Sequence, residues 1–227
     1  MTPYLEALAK ELSATGELLK KSSRTIRSVY IGGGTPSHYG AEFLCEIIQT
    51  IKLSGRLLRD AEITVEMNPD SMFIPELRML YKEGVNRISM GVQSANDDEL
   101  KFLGRIHTFD GFLKTYEDAK KAGFDNISLD LMLGIPYQTE ESLKNSIEFC
   151  SSLGVSHISS YMLKIEEGTP LSKSELRFLC ADEEKAADLY LLSCEELEKR
   201  GFEVDYNDEG KITRQDAKRL FEENDLV

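Results

Sequence analysis

The sequence predicts an α/β fold built on a parallel sheet, and three observations carry that expectation. Short runs rich in β-branched residues alternate with longer stretches of helical periodicity, glycines recur near the ends of those stretches, and no Pro- or Ser-rich tract divides the chain. Thr2 is placed to cap an amphipathic segment from Pro3 to Ser13, with Leu5, Leu8 and Leu12 on one face. Arg27 to Ile31 reads as a buried strand that stops at Gly32-Gly33-Gly34, and Phe43, Leu44, Ile47, Ile48 and Ile51 mark the helix after it. Ile63 to Met67 is the second strand, ended by Asn68-Pro69 and followed by a helix through Leu77 and Leu80 to Gly84. Arg87 to Val92 is the third, with helices carrying Leu100 and Leu113 behind it. Ile127 to Leu131 is the fourth, before a helix from Glu140 to Leu153. His157 to Met162 is the fifth, and a long helix runs from Asp182 to Arg200. Gly16, Gly55, Gly84, Gly123, Gly154 and Gly201 are read as helix-end residues. Five strands and about six helices in 227 residues fall short of a full eight-fold barrel, which needs about 250 residues, so a partial barrel or an open sheet is expected.

Charge narrows the function. Lys and Arg number 27 against 40 Asp and Glu, a net charge of −13, which argues against a nucleic-acid binder or a protein drawn to anionic membranes. Residues 181–227 carry −8 of that charge. No apolar run reaches the length of a membrane span, and Met1-Thr2-Pro3-Tyr4 does not open a signal peptide. Four cysteines (Cys45, Cys150, Cys180, Cys194) are too sparse for a disulfide scaffold, and none has C-x-x-C spacing. A cytoplasmic protein is the expectation. The pattern changes near Gly201, so residues 1–204 are read as the core and residues 205–227 as an acidic tail.

In parallel α/β folds ligands bind at the carboxyl ends of the strands. The distinctive residues fall there: Gly32 to Ser37 after the first strand, Glu66 and Asn68-Pro69 at the second, Gln93 and Ser94 at the third, Asp130 on the fourth, Tyr161 and Met162 on the last. Three glycines without Cβ atoms let a ligand approach the backbone, although a tight strand-to-helix turn explains them equally. The run is neither a dinucleotide fingerprint, since position 37 is Ser, nor a Walker A loop, since no Gly-Lys-Ser/Thr follows. Glu66 and Asp130 are carboxylates in otherwise apolar strands. Each therefore meets a ligand, backbone donors, or a structural cation such as Arg87 or Arg105. His38, His107 and His157 have no metal-ligand spacing and read as surface or strand-end hydrogen bonders.

The blocks GGGTPS (32–37), EMNPD (66–70), NRISMGVQS (86–94), LGRIH (103–107), DNISLDLMLGIPYQT (125–139) and HISSYMLKIEEGTP (157–170) occur in that order across residues 25 to 204. Together they resemble the radical S-adenosylmethionine (SAM) family of oxygen-independent coproporphyrinogen III oxidase, and most of all its branch of radical SAM heme chaperones. The resemblance implies an α/β fold: a partial TIM-like (β/α)6 barrel, here lacking its first strand, with SAM lying across the strand ends. It implies that Gly33, Gly34 and Thr35 meet the methionyl amino end of SAM and Glu66 the groups near its ribose. Gln93, Arg105, Asp130 and Met162 match positions beside a second SAM in the oxidase branch. Heme is a further ligand, and porphyrin biosynthesis or heme delivery is the expected setting.

Two departures accompany the match. The family's C-x-x-x-C-x-x-C loop, whose thiolates hold a [4Fe-4S] cluster, precedes the helix that here begins at Thr2, and no cysteine of this chain has the spacing to replace it. Radical chemistry is therefore not expected of the chain as written, and the edge exposed on the first strand is expected to be open to another chain. A cluster-less SAM- or heme-binding module is the alternative. The second departure is Asp205 to Asp216, which resembles a calcium loop of the EF-hand or dockerin type. Asp205, Asn207, Glu209, Thr213 and Asp216 would supply oxygens and Gly210 the turn. A solvated acidic turn before a terminal helix is the preferred reading, with calcium-dependent docking as the other.

Overall fold

A computed structural model describes residues 3–53, 56–204 and 213–223. Helix α1 spans Pro3–Lys20, β1 Ile26–Ile31, α2 Ala41–Leu53, β2 Leu57–Met67, α3 Ile74–Glu83 and β3 Arg87–Gln93. There follow α4 Asp97–Phe102, α5 Phe109–Ala122, β4 Asn126–Leu133, α6 Glu140–Ser152, β5 His157–Met162, α7 Pro170–Lys173, α8 Glu183–Lys199 and α9 Arg214–Glu223. The five strands stand in the order β1-β2-β3-β4-β5, the simple progression of successive βα units and the arrangement of a partial barrel. The chain divides into two compact units, residues 1–90 with 113–127, and residues 91–112 with 128–227.

In the first unit β1 and β2 are parallel, with Val29 beside Ile63 and Ile31 beside Val65, and a register shift between Ile26 and Ser28. The parallel β2–β3 pairing continues through Val65 beside Ile88 and Met67 beside Met90. Ile63, Val65, Ile88 and Met90 are buried together with Leu44, Ile48, Leu77 and Leu80 of α2 and α3. Each such side chain contributes about 1.5–3 kcal/mol relative to exposure. Asn86 ties the sheet to its connection: its Oδ1 accepts from the Ile63 N–H at 2.8 Å and its Nδ2 donates to the Ala61 carbonyl at 2.9 Å.

In the second unit β4 and β5 are parallel, with Leu129 beside Ile158 and Leu133 beside Met162. Leu129, Leu131, Leu133, Leu143, Ile147 and Cys150 form its buried centre. Helix starts are set by side-chain caps. Asn96 Oδ1 accepts from the Asp98 N–H at 2.9 Å, Thr139 and Ser142 cap each other's backbone, and Asp182 Oδ1 accepts from the Lys185 N–H at 2.9 Å. Helix α9 is joined to α8 by ion pairs, with Arg214 Nη2 at 2.8 Å from Asp188 Oδ2 and 3.0 Å from Glu184 Oε2, and Lys218 on Glu184.

The elements depart from the sequence reading where propensity and packing disagree. Helix α1 continues to Lys20 instead of stopping at Ser13, and Gly16 is buried inside it, so this glycine is not a helix end. Gly84, Gly123, Gly154 and Gly201 do follow helices with positive φ, whereas Gly55 lies outside the described residues. Strand β2 begins six residues earlier than Ile63, at Leu57, through the exposed Arg59 and Asp60.

The terminal helix yields a pH prediction. The Thr213 N–H and hydroxyl both donate to Asp216 Oδ2, at 2.9 and 2.6 Å, and the Asp216 N–H donates back to Thr213 Oγ1 at 3.2 Å. These bonds hold the Asp216 carboxyl below its usual range, the Thr213 hydroxyl first. A lowered folded-state pKa gives stability that is present above the unfolded value, about 3.9, and lost as pH falls through the folded value. The start of α9 is therefore expected to fray below about pH 4. Amide exchange followed down a pH series, corrected for the intrinsic rate, should show protection at Ala217 lost before protection in α6. Equal loss in both helices would refute the cap.

Candidate functional site at the strand ends

The site residues of the first unit are brought together by β1 and β2. Glu66 is half-buried near the end of β2, and both of its carboxylate oxygens are engaged. The Tyr30 hydroxyl donates to Oε1 at 2.8 Å and the Gly33 N–H donates to Oε2 at 2.9 Å. Gly32 makes this possible: a Cβ there would lie 2.7 Å from the Tyr30 ring and 2.8 Å from the Glu66 carboxyl carbon. Gly33 and Gly34 then turn at φ 78° and 58°, a left-handed geometry that costs other residues about 1–2 kcal/mol each. Thr35 adopts φ 63° even so, and its Oγ1 accepts from Asn68 Nδ2 at 3.2 Å. Ser37, in the short 3-10 turn Pro36–Tyr39, is buried with a hydroxyl that has no partner among the described residues. Of the two structural cations considered for Glu66 and Asp130, Arg87 takes another acid, its Nη1 pairing with Glu62 Oε1 at 3.1 Å.

The residues expected beside a second ligand, Gln93, Arg105, Asp130 and Met162, all belong to the second unit. Gln93 ends β3 at φ 66°, is buried, and its Oε1 accepts from the Tyr161 hydroxyl at 2.7 Å. Asp130 is half-buried on β4 opposite Ser159 of β5, and Met162 is buried at the end of β5. Arg105 is half-buried just after α4, where its N–H donates to the Leu100 carbonyl at 2.9 Å. The calcium-loop residues Asp205, Asn207 and Glu209 lie outside the described residues; Thr213 and Asp216 bond each other at the start of α9.

Sequence reasoning did not foresee a wider pattern of strain. Among the described residues four non-glycine residues have positive φ, namely Thr35, Asp70, Gln93 and Tyr137, and they follow or end β1, β2, β3 and β4. Backbone strain held in place by surrounding structure concentrates at ligand sites. Asp70 is fixed by its N–H donating to Thr115 Oγ1 at 3.0 Å. A buried carboxylate on α4, Glu99, was also missed. Its Oε2 accepts from the Ser94 hydroxyl at 2.7 Å and from Gln138 Nε2 at 3.3 Å, and its Oε1 accepts from the Ser142 hydroxyl at 2.5 Å. The sequence offered little signal for it, since Glu99 is the third of three consecutive acids and its neighbours Asp97 and Asp98 are exposed.

This arrangement suits a polar ligand that carries both charge and hydroxyls. Carboxylate oxygens at a strand end accept from ribose hydroxyls, and glycine carbonyls with no Cβ beside them accept from an ammonium. The open space over Gly33 and Gly34, where an added Cβ would meet nothing within 4 Å, and the Ser37 hydroxyl, which has no partner among the described residues, fit SAM. The cysteines do not fit an iron–sulfur cluster. Cys45, Cys150, Cys180 and Cys194 are at least 14 residues apart in sequence, so none forms the C-x-x-x-C-x-x-C loop that gathers three thiolates on one cluster. Among the described residues no three His, Cys, Asp or Glu side chains converge on a metal-sized space. Among those residues too, no helix is long and apolar enough to cross a membrane.

Comparison with known proteins places the chain. Residues 6–150 match the Radical SAM superfamily. The heme chaperone HemW of Bacillus subtilis is 35% identical over 206 residues, covering 87% of this chain and 52% of that protein. The mitochondrial radical S-adenosyl methionine domain-containing protein 1 of Danio rerio is 36% identical over 200 residues, covering 87% and 44%. The solved structure of coproporphyrinogen III oxidase (HemN) from Escherichia coli, a radical SAM enzyme, superposes with a TM-score of 0.74 at 23% identity, covering 88% of this chain and 46% of that one. The chain thus spans about half the length of the relatives it matches. With a parallel βα progression, polar strand ends and a superfamily match over 145 of its residues, the chain belongs to the radical SAM superfamily.

Proposed function

We propose that this chain is the SAM-holding part of a heme-related radical SAM protein, as its relatives' names suggest for the tetrapyrrole side. The observation that carries the SAM reading is the Gly33–Glu66–Tyr30 cluster, a carboxylate already oriented by a backbone donor and a phenol beside a Cβ-free turn. In this reading Glu66 keeps its Gly33 contact and accepts a ribose hydroxyl. The carbonyls of 33–35 accept from the methionyl ammonium. Orientation by neighbours lowers the entropy lost on binding. In the second unit Gln93, held by Tyr161, presents its amide nitrogen to a ligand, with Arg105, Asp130 and Met162 as the other contacts proposed there. SAM, when bound, supplies the adenosyl group for radical chemistry; the four cysteines here are not suited to hold the cluster that would cleave it.

Isothermal titration of the chain with SAM tests the reading. Saturable binding is expected, and Glu66→Ala is expected to weaken it by about ten-fold, the worth of one charge-assisted hydrogen bond. Absence of saturable heat in the wild-type chain, or binding unchanged in Glu66→Ala, would overturn it.

A further inference from the structure

After β5 the second unit carries a feature that neither strand-end site uses. An open groove of about 570 Å³ is lined by Ile165, Glu167, Ser172, Lys173, Arg177 and Phe178 among others, a volume within the range of small-molecule sites. Phe178 is 73% exposed, more than any packing role requires. The Arg177 guanidinium lies over its ring, 4.5 Å from the centroid, and Nη1 donates to the Ser172 carbonyl at 2.7 Å. Ser172 is itself fixed, its N–H donating to Thr169 Oγ1 at 3.2 Å and its hydroxyl to the Thr169 carbonyl at 2.9 Å. A cation and an aromatic face are therefore oriented before any ligand arrives, with the exposed Lys173 as a second cation and Glu167 as the one acid of the lining.

A fixed guanidinium stacked on an open ring selects a flat apolar body that bears carboxylates. We propose that this groove binds the carboxylate-bearing edge of a porphyrin-type macrocycle, with Arg177 and Lys173 on the carboxylates and Phe178 and Ile165 against the ring. The proposal rests on the heme-related reading above and adds the place and the mode of recognition. The lining contains no imidazole, thiol or thioether. Iron consequently has no ligand there, and recognition is independent of the metal.

The test is a titration of the full chain with protoporphyrin IX by porphyrin fluorescence and with hemin by absorbance, with a SAM titration run alongside. The wild-type chain is expected to bind both porphyrins with affinities within about three-fold of each other, since the same carboxylate and ring contacts serve both. K173E/R177E is expected to weaken both by at least about ten-fold, and Phe178→Ser, which leaves the charges in place, by about five-fold, with SAM binding and the thermal midpoint unchanged. Porphyrin binding that is equal in wild type and both variants would overturn the groove while leaving the heme-related reading intact. Binding of hemin alone would overturn it too, because iron would then be the recognised group. No porphyrin binding in the wild-type chain would overturn the tetrapyrrole reading as well, and the SAM reading would stand on its own titration.

Discussion

Replacing Glu99 with alanine is expected to destabilise the chain by about 3 kcal/mol, the largest effect of any polar substitution in the second unit. Glu99 is 2% exposed, and both of its oxygens accept. Its three donors come from different elements: Ser94 after β3, Gln138 after β4 and Ser142 on the first turn of α6. Hydrogen bonds to a carboxylate contribute about 1.5–3 kcal/mol each, and two of the donors have other acceptors to fall back on, so the sum is not reached. Ser142 Oγ also meets the Thr139 carbonyl at 3.0 Å, and Gln138 Nε2 the Met132 carbonyl at 3.0 Å. Glu99→Gln keeps the volume and one acceptor but turns an amide NH2 toward donors. A cost near 2 kcal/mol is expected, because an uncompensated polar contact stays buried. Urea unfolding of the two variants at neutral pH measures both, with the denaturant slope unchanged. A loss below about 0.5 kcal/mol for Glu99→Ala would mean that α4 and α6 are held by packing alone.

Gly32→Ala is expected to reduce SAM affinity by ten-fold or more while costing only about 1–2 kcal/mol in stability. Position 32 has no positive φ, so the backbone tolerates alanine, and the damage comes from the added carbon. It would sit 2.8 Å from Glu66 Oε1 and 2.7 Å from the Tyr30 ring. The carboxylate end can swing away, but only by giving up the Tyr30 and Gly33 donors that orient it. Gly33→Ala is the informative contrast. Its Cβ would meet nothing within 4 Å, and its φ of 78° penalises the backbone instead. Stability should fall by about 1–2 kcal/mol there too, while the Glu66 geometry survives. Titration with SAM and thermal unfolding of the two variants separate the effects. Equal SAM affinity in wild type and Gly32→Ala would show that Glu66 does not touch the ligand.

The strands were legible because each is a short β-branched run ended by a turn residue, and Arg87, His157 and Met162 bound their strands as read. The start of β2 was not, since Leu57 to Asp60 is half polar and takes strand form through its neighbour: Ile26 pairs with Leu57 across a register shift. Gly16 misled for a related reason. A glycine within a helical pattern reads as a stop, yet here it is buried in α1, where packing outweighs about 1 kcal/mol of propensity. The candidate site was legible as a set of strand ends. Its wiring was not, because Tyr30 and Glu66 are 36 residues apart, and Gln93 and Tyr161 are 68 apart. Nothing in composition distinguishes the φ of Gln93 or Tyr137 from that of any neighbour; left-handed geometry at such residues is imposed by the fold around them.

The four strained residues after the strands bear on how this scaffold would respond to artificial selection. Glycine at the exposed Asp70, whose backbone N–H keeps its Thr115 bond, would relieve about 1–2 kcal/mol of left-handed strain against roughly 0.5–1 kcal/mol of added chain freedom, a net gain in heat tolerance, whereas at Thr35, Gln93 and Tyr137 the lost Asn68 bond, the lost Tyr161 bond and the lost Phe102 ring contact offset that relief. A library screened only for surviving higher temperature would therefore erase the Asp70 side chain first. Screening heat tolerance and ligand retention together would leave these four codons untouched and move the improvements to the helices. The map of where improvement is refused would then outline, in each unit separately, the footprint of whatever that unit binds.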